Sequence, residues 1–236
     1  MITVILGTGP GLGAALVRQF TGQGHTVVAM ARRKDFLDSL CEEEAKKGGK
    51  IIGVPCDASK PESIKDAFAQ IPKSDKVGCL IYNASAPFRP ASILDTTPEE
   101  MEAAWKATCL GALVASQAIL PGMVAQGYGT ILFTGATASI RGSAKMSALA
   151  VPKFGVRALA QSIAREFGPQ GIHASHILVD GVIDTEKTRQ YLGDKPIPQD
   201  SLLSPSAMAQ VYWQLYAQDR SVWTQELDIR PFVEKF

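Results

Sequence analysis

Seven short apolar runs, ITVIL, TVVAM, KIIGVPC, VGCLIY, GTILFTG, IHASHILV and TQELDIR, punctuate the chain. Between them the apolar residues recur at helical spacing. Leu12, Ala15, Leu16 and Phe20 share one helix face, and so do Val156, Leu159, Ala160, Ile163 and Phe167. A longer stretch, TPEEMEAAWKATCLGALVASQAIL, predicts one helix with Thr97 as N-cap, Pro98 at the first helical position and acids in the first turn. Strand and helix in alternation predict a parallel sheet covered on both faces. Right-handed crossovers make the economical answer an α/β, doubly wound, three-layer fold on seven parallel strands.

Nothing divides the chain further. It has no internal repeat, low-complexity tract or interdomain linker, so its 236 residues are expected to form a single domain, 1–236. The one long irregular stretch, at about 185–204, reads as a lid over the site. A net charge of +1 points to no nucleic-acid partner and no membrane-binding face. The opening MITVILGTGPG lacks a secretory pattern, and no run reaches the roughly 18 uninterrupted apolar residues of a membrane span, so a cytoplasmic protein is expected. Cys41, Cys56, Cys79 and Cys109 are far apart and read as reduced thiols. His25, His173 and His176 show no metal-ligand spacing; His173 and His176 flank a strand-like run and read as structural or surface residues.

The first strand runs into Gly7-x-x-x-Gly11-x-Gly13 and then a helix. Glycines there let the backbone turn sharply and approach a pyrophosphate at a helix N-terminus; the competing reading is a plain turn. The second strand ends in Ala31, where an acid would bond an adenine ribose, followed by Arg32 and Arg33. Arginine accommodates a 2′-phosphate, which favours NADP(H) over NAD(H). The alternative is a solvated basic turn.

With these motifs in order, the chain resembles the short-chain dehydrogenase/reductase family along nearly its whole length, which implies a Rossmann fold. The glycine spacing is similar to that family's TGxxxGxG, with Leu6 for its threonine and Leu12 inside the pattern. CDAS resembles its adenine contact, carried by Asp57 and Ala58, and YNAS resembles its NNAG, carried by Asn83 and Ala84 with Ser85 for the glycine. DGVIDT resembles its PGxxxT, with Asp180 for the proline and Thr185 kept as a cofactor contact.

The resemblance also implies a catalytic set of Tyr, Lys, Ser and Asn. Lys153 aligns with the lysine, but Leu149 stands at the tyrosine, Ala136 at the serine and Thr108 at the asparagine. Leucine and alanine have nothing to donate or accept, so they do no acid–base work. Nearby groups that can replace them are Thr137, Ser139, Ser143, Ser147, Lys145 and Tyr82, each with a purely structural reading beside it. Lys153, next to Pro152 in what reads as a first helical turn, either bonds the nicotinamide ribose or is a surface lysine.

Two functions follow. One is an NADP(H)-dependent oxidoreductase of a small carbonyl or alcohol with a non-standard proton route. The other is a pseudoenzyme that senses NADP(H) or serves as a structural subunit. The family often pairs its long helices, which implies a homodimer or homotetramer.

Overall fold

The computed structural model describes residues 1–72, 75–193 and 196–234. Its strands are β1 (Ile2–Leu6), β2 (Thr26–Ala31), β3 (Lys50–Pro55), β4 (Val77–Tyr82), β5 (Gly129–Thr134), β6 (Ile172–Val179) and β7 (Glu226–Ile229). They form one all-parallel sheet in the order β3–β2–β1–β4–β5–β6–β7. The seven-stranded, doubly wound sheet expected from the alternation is therefore present. Strand order reverses between β1 and β4, and the crevice above the C-terminal strand ends at such a point is where ligands collect in open α/β sheets.

Helices α1 (Leu12–Gly22), α2 (Lys34–Lys46) and α8 (Pro205–Tyr216) cover one face, and α3 (Pro61–Ala69), α5 (Gly111–Gln126) and α6 (Ser147–Phe167) the other. Strand side chains alternate between the two cores. Val4, Leu6, Ile131 and Phe133 enter one, while Ile5, Leu132 and Ile177 enter the other. Each such burial contributes about 1.5–3 kcal/mol, and a slip of one residue would exchange the two sets.

The long predicted helix begins as expected. In α4 (Pro98–Trp105), Thr97 and Glu100 form a reciprocal capping box. It is not uniform, however. Residues Lys106–Leu110 form a π turn before α5 continues. The helical run Pro98–Gln126 has the length and apolar character of a membrane span, a match that counting uninterrupted apolar residues misses. Over half of its most apolar stretch is buried inside the fold, as in a core helix.

Two further expectations are corrected. The stretch 185–204 is not irregular throughout: Thr185 caps α7 (Glu186–Leu192), and a bridge pairs Ile183 with Leu203. Its residues 194 and 195 lie outside the described residues. Pro152 lies inside α6 rather than in its first turn, because the helix already starts at Ser147.

Candidate functional site

The glycine loop is shaped by close backbone approach. Gly7 adopts φ 99°, and a Cβ there would lie 2.4 Å from the Ala84 amide nitrogen. The Gly7 and Thr8 amides donate to the Met30 carbonyl, at 2.9 and 3.0 Å. Asn83 closes the junction from β4: its amide donates to the Leu6 carbonyl (2.8 Å) and its Nδ2 to the Gly7 carbonyl (3.0 Å). Gly11 faces Thr185, whose Cγ2 would lie 2.6 Å from an added Cβ, while Gly13 packs on the backbone of Gly7 and Thr8. Leu12 is buried and opens α1, whose first turn carries no acid and no side-chain cap. First-turn amides have no intrahelical acceptor, so this end attracts an anion.

A cavity of about 640 Å³ lies against the loop and gathers Gly7, Arg32, Arg33, Asp57, Ala58, Asn83 and Ala84. Arg32 and Arg33 are exposed at its rim, and the Arg33 guanidinium stacks 5.2 Å from the centre of the Phe36 ring. Partial burial works to raise the pKa of Asp57. Two hydrogen bonds from Ser59 and the charges of Lys60 and Arg32 outweigh it and hold the carboxyl below its usual range.

Beyond this cavity lies the end of β5 and the start of α6. Lys153 is 5% exposed, and its Nζ donates to the Thr134 carbonyl at 2.7 Å. Burial lowers its pKa to about 8. Leu149 is half-buried one helical turn earlier. Ala136 is extended and leads into a 3-10 turn, Thr137–Ser139. Thr108 is buried in the π turn, with its hydroxyl 3.4 Å from that of Ser85.

The hydroxyl and amine groups near Ala136 and Leu149 sort by direction. Tyr82 is buried and donates to the Ala107 carbonyl at 2.6 Å, so it braces the π turn. Burial pushes its pKa well above the usual phenol value. Ser143 and Lys145 are exposed and, with Ser147, line a separate cavity of about 830 Å³ beside Val151 and Phe154. Thr137 donates to the buried carboxylate of Asp180.

His173 and His176 lie inside β6 and are both buried; they do not flank it. His173 stacks on Trp223 at 5.1 Å between centroids. His176 Nε2 is 3.1 Å from Ser139 Oγ, and its Nδ1 is 3.1 Å from Glu226 Oε2. Glu226 accepts two hydrogen bonds from Arg157, at 2.6 and 2.8 Å. Burial holds the His176 pKa below the usual imidazole value, outweighing the neighbouring Glu226. The ring thus spans the two elements, with Nε2 at hydrogen-bond distance from the Ser139 hydroxyl and Nδ1 facing the Glu226 carboxylate. The order Ser–His–Glu is that of a hydrolytic triad, but Ser139 is fully buried and its oxygen accepts the Ala136 amide at 3.0 Å. The network holds the turn after β5 in place.

A family model of short chain dehydrogenases matches residues 1–195. The chain belongs to that family. Among curated relatives, carbonyl reductase family member 4 of Danio rerio is 26% identical over 212 residues, 89% of this chain and 88% of its own. Among solved structures, a short-chain dehydrogenase from Rhodopseudomonas palustris is 33% identical, with a TM-score of 0.84 and 98% of each chain covered. A serine dehydrogenase in a closed form complexed with NADP+ is 22% identical and shares the fold, with a TM-score of 0.89 over 100% of this chain and 97% of that one.

In this short-chain dehydrogenase, the residues singled out in the sequence fall into two groups. Arg32, Arg33, Asp57, Ala58, Asn83 and Ala84 share one cavity with Gly7, and Thr185 reaches the loop at Gly11. Lys153, Leu149 and Ala136 belong to the β5–α6 end and Thr108 to the π turn before α5, and none of the four lines that cavity. Sequence reasoning missed the Ser139–His176–Glu226–Arg157 network and the pairing of Thr137 with Asp180. A signal for the network was available: IHASHILV places three polar residues inside a run otherwise apolar enough for a buried strand.

Proposed function

We propose that the protein is an NADP(H)-dependent oxidoreductase of a small alcohol or carbonyl compound whose proton route uses no tyrosine. The observation that carries this reading is the cavity joining the glycine loop to Arg32 and Arg33. The chain's own residues fit such a cofactor. Side chains at Gly7, Gly11 or Gly13 would close the cradle, and the acid-free start of α1 suits a pyrophosphate. Arg32 and Arg33 take the 2′-phosphate, Asp57 and Ala58 flank the adenine, and Asn83 and Ala84 line the path between the two halves. Lys153 keeps two ammonium hydrogens beyond the one given to Thr134, and these hold the nicotinamide ribose. Thr185 closes over the loop. When bound, the nicotinamide supplies or accepts hydride.

Fluorescence titration with NADPH and NADH tests the reading. NADPH is expected to bind about 10- to 100-fold more tightly, the worth of a charge-assisted hydrogen bond, and an Arg32→Ser/Arg33→Ser variant loses that preference. Equal affinities in the wild type would remove the 2′-phosphate assignment, and binding of neither nucleotide would remove the function. The half-buried apolar side chains Ala136 and Leu149 favour a second reading, a nucleotide-binding protein without turnover. Tight NADPH binding with no consumption against a panel of aldehydes, ketones and alcohols is its expected result.

We also propose self-association as a homodimer or homotetramer through the long helices. Trp105, Leu113, Val151 and Phe154 are exposed there. Sedimentation velocity is expected to show at least a dimer, dissociated by Leu113→Glu/Phe154→Glu; a monomeric wild type would overturn this.

A further inference from the structure

The corner that lacks the family's tyrosine holds a hydroxyl–carboxylate pair. Thr134 ends β5 and pairs in register with Ile177, so the turn after β5 lies beside the end of β6, where Asp180 stands. The Asp180 amide donates to the Ile229 carbonyl at 2.9 Å, which fixes the residue against β7. Its side chain accepts the Thr137 hydroxyl through Oδ1, and Arg230 faces Oδ2 at 3.7 Å. Asp180 is 4% exposed and Thr137 is half-buried, so Thr137 is the more accessible residue of the pair. Thr137 follows Ala136 directly. Lys153, bound to Thr134, comes from α6 to the same strand end.

This geometry has a direction. A hydroxyl whose proton is committed to a carboxylate presents lone pairs to anything else it meets, so it takes a hydrogen bond rather than giving one. Neutral threonine is a poor base alone, but a carboxylate behind it supplies the proton sink. Other hydroxyls nearby are not so placed: Ser139 is sealed against His176, and Tyr82 is turned to Ala107.

We propose that Thr137, backed by Asp180, is the proton acceptor of this site and that the substrate it takes is an alcohol. The inference rests on the nicotinamide reading above. The substrate O–H bond breaks and its proton joins Thr137 Oγ1, while the proton held by Thr137 passes to Asp180 Oδ1. As the carbonyl double bond forms, the electron pair of the broken substrate C–H bond would leave as hydride, which an oxidised nicotinamide bound at this site would accept. Asp180 ends as a carboxylic acid and returns its proton to water. Thr137 is the catalytic residue and Asp180 the positioning residue that acts through it.

The test uses the full chain with NADP+ and has two readouts. Binding of trifluoroethanol, an alcohol that resists oxidation, is followed by ¹⁹F NMR. Oxidation of small primary and secondary alcohols is followed by NADPH absorbance. Thr137→Val is expected to abolish trifluoroethanol binding and to lower kcat by about 10²- to 10⁴-fold, and Thr137→Ser to restore both. Asp180→Asn is expected to lower kcat similarly while trifluoroethanol still binds. NADP+ affinity and thermal midpoint in each variant report whether the fold survives. Equal turnover in Thr137→Val and wild type overturns the proposal, as does trifluoroethanol binding that Thr137→Val leaves intact. A wild type that binds NADP+ but oxidises no alcohol also overturns it and leaves the nucleotide reading standing. A wild type that binds no NADP+ overturns that reading and this step together.

Discussion

Gly7→Ala is expected to lower the thermal midpoint by about 10 °C and to abolish NADPH binding. At φ 99° an alanine is strained, at roughly 1–2 kcal/mol. The added Cβ would also lie 2.4 Å from Ala84 N, 2.6 Å from Asn83 C and 2.7 Å from Ala84 Cα. All three are backbone atoms of the segment leaving β4, so no side chain can swing aside. The loop must move, breaking the bonds from Asn83 to Leu6 and Gly7. Together these come to about 4 kcal/mol, and each kcal/mol shifts the midpoint of a domain this size by about 2–4 °C. Gly9→Ala is the control, because a Cβ there meets nothing within 4 Å. It is expected to stay within about 1 kcal/mol of wild type. Calorimetry on the two variants decides the matter; equal midpoints would mean that the junction between the loop and Ala84 is not as close as described.

Lys153→Met is expected to stabilise the protein at pH 7 by about 1–2 kcal/mol while weakening nucleotide binding. Burial lowers the lysine pKa to about 8 from 10.5, so the folded state disfavours the ammonium. Between those values the unfolded chain binds more protons than the folded one, so this group makes stability rise with pH from about 8 to 10.5. Below 8 the penalty is complete, at about 3 kcal/mol. Methionine removes it, and the Thr134 carbonyl left without its donor takes back part of the gain. Buried Cys79 and Tyr82 have raised pKa values and act in the opposite sense at high pH, so the informative quantity is the difference between the two stability curves. That difference should shrink by about 3 kcal/mol across the window. Parallel curves from chemical denaturation would show that Lys153 carries no buried charge. A gain in stability with a loss in binding is the pattern of a residue kept for function.

How much of this was readable from the chain depended on the range of the interaction concerned. The Thr97 cap and the acids after it lie within four residues, and the glycine loop spans seven, so both appear as local patterns. Ala136 and Leu149 stood out only through the resemblance to the family, which sets a serine and a tyrosine at those positions. The π turn was not readable. It is braced by the Tyr82 hydroxyl, 25 residues away, and closed by Gly111, where a Cβ would lie 2.3 Å from that hydroxyl. Period-two alternation places His173 and His176 on opposite faces of β6, but it is silent about what waits there. For His176 the partners are Ser139, 37 residues earlier, and Glu226, on the neighbouring strand.

Apolar periodicity and glycine spacing are properties of consecutive residues, and from them came the doubly wound sheet and the glycine loop after its first strand; the resemblance to the family added the leucine four residues before Lys153. Whether a hydroxyl stands free or faces a carboxylate depends on which strand ends the sheet brings side by side. Thr137 and Asp180 are 43 residues apart and meet because β5 and β6 pair in parallel register. The burial that strips water from Lys153 is likewise made by elements distant in sequence. Backbone preference acts over a few residues, whereas desolvation and side-chain pairing act through space.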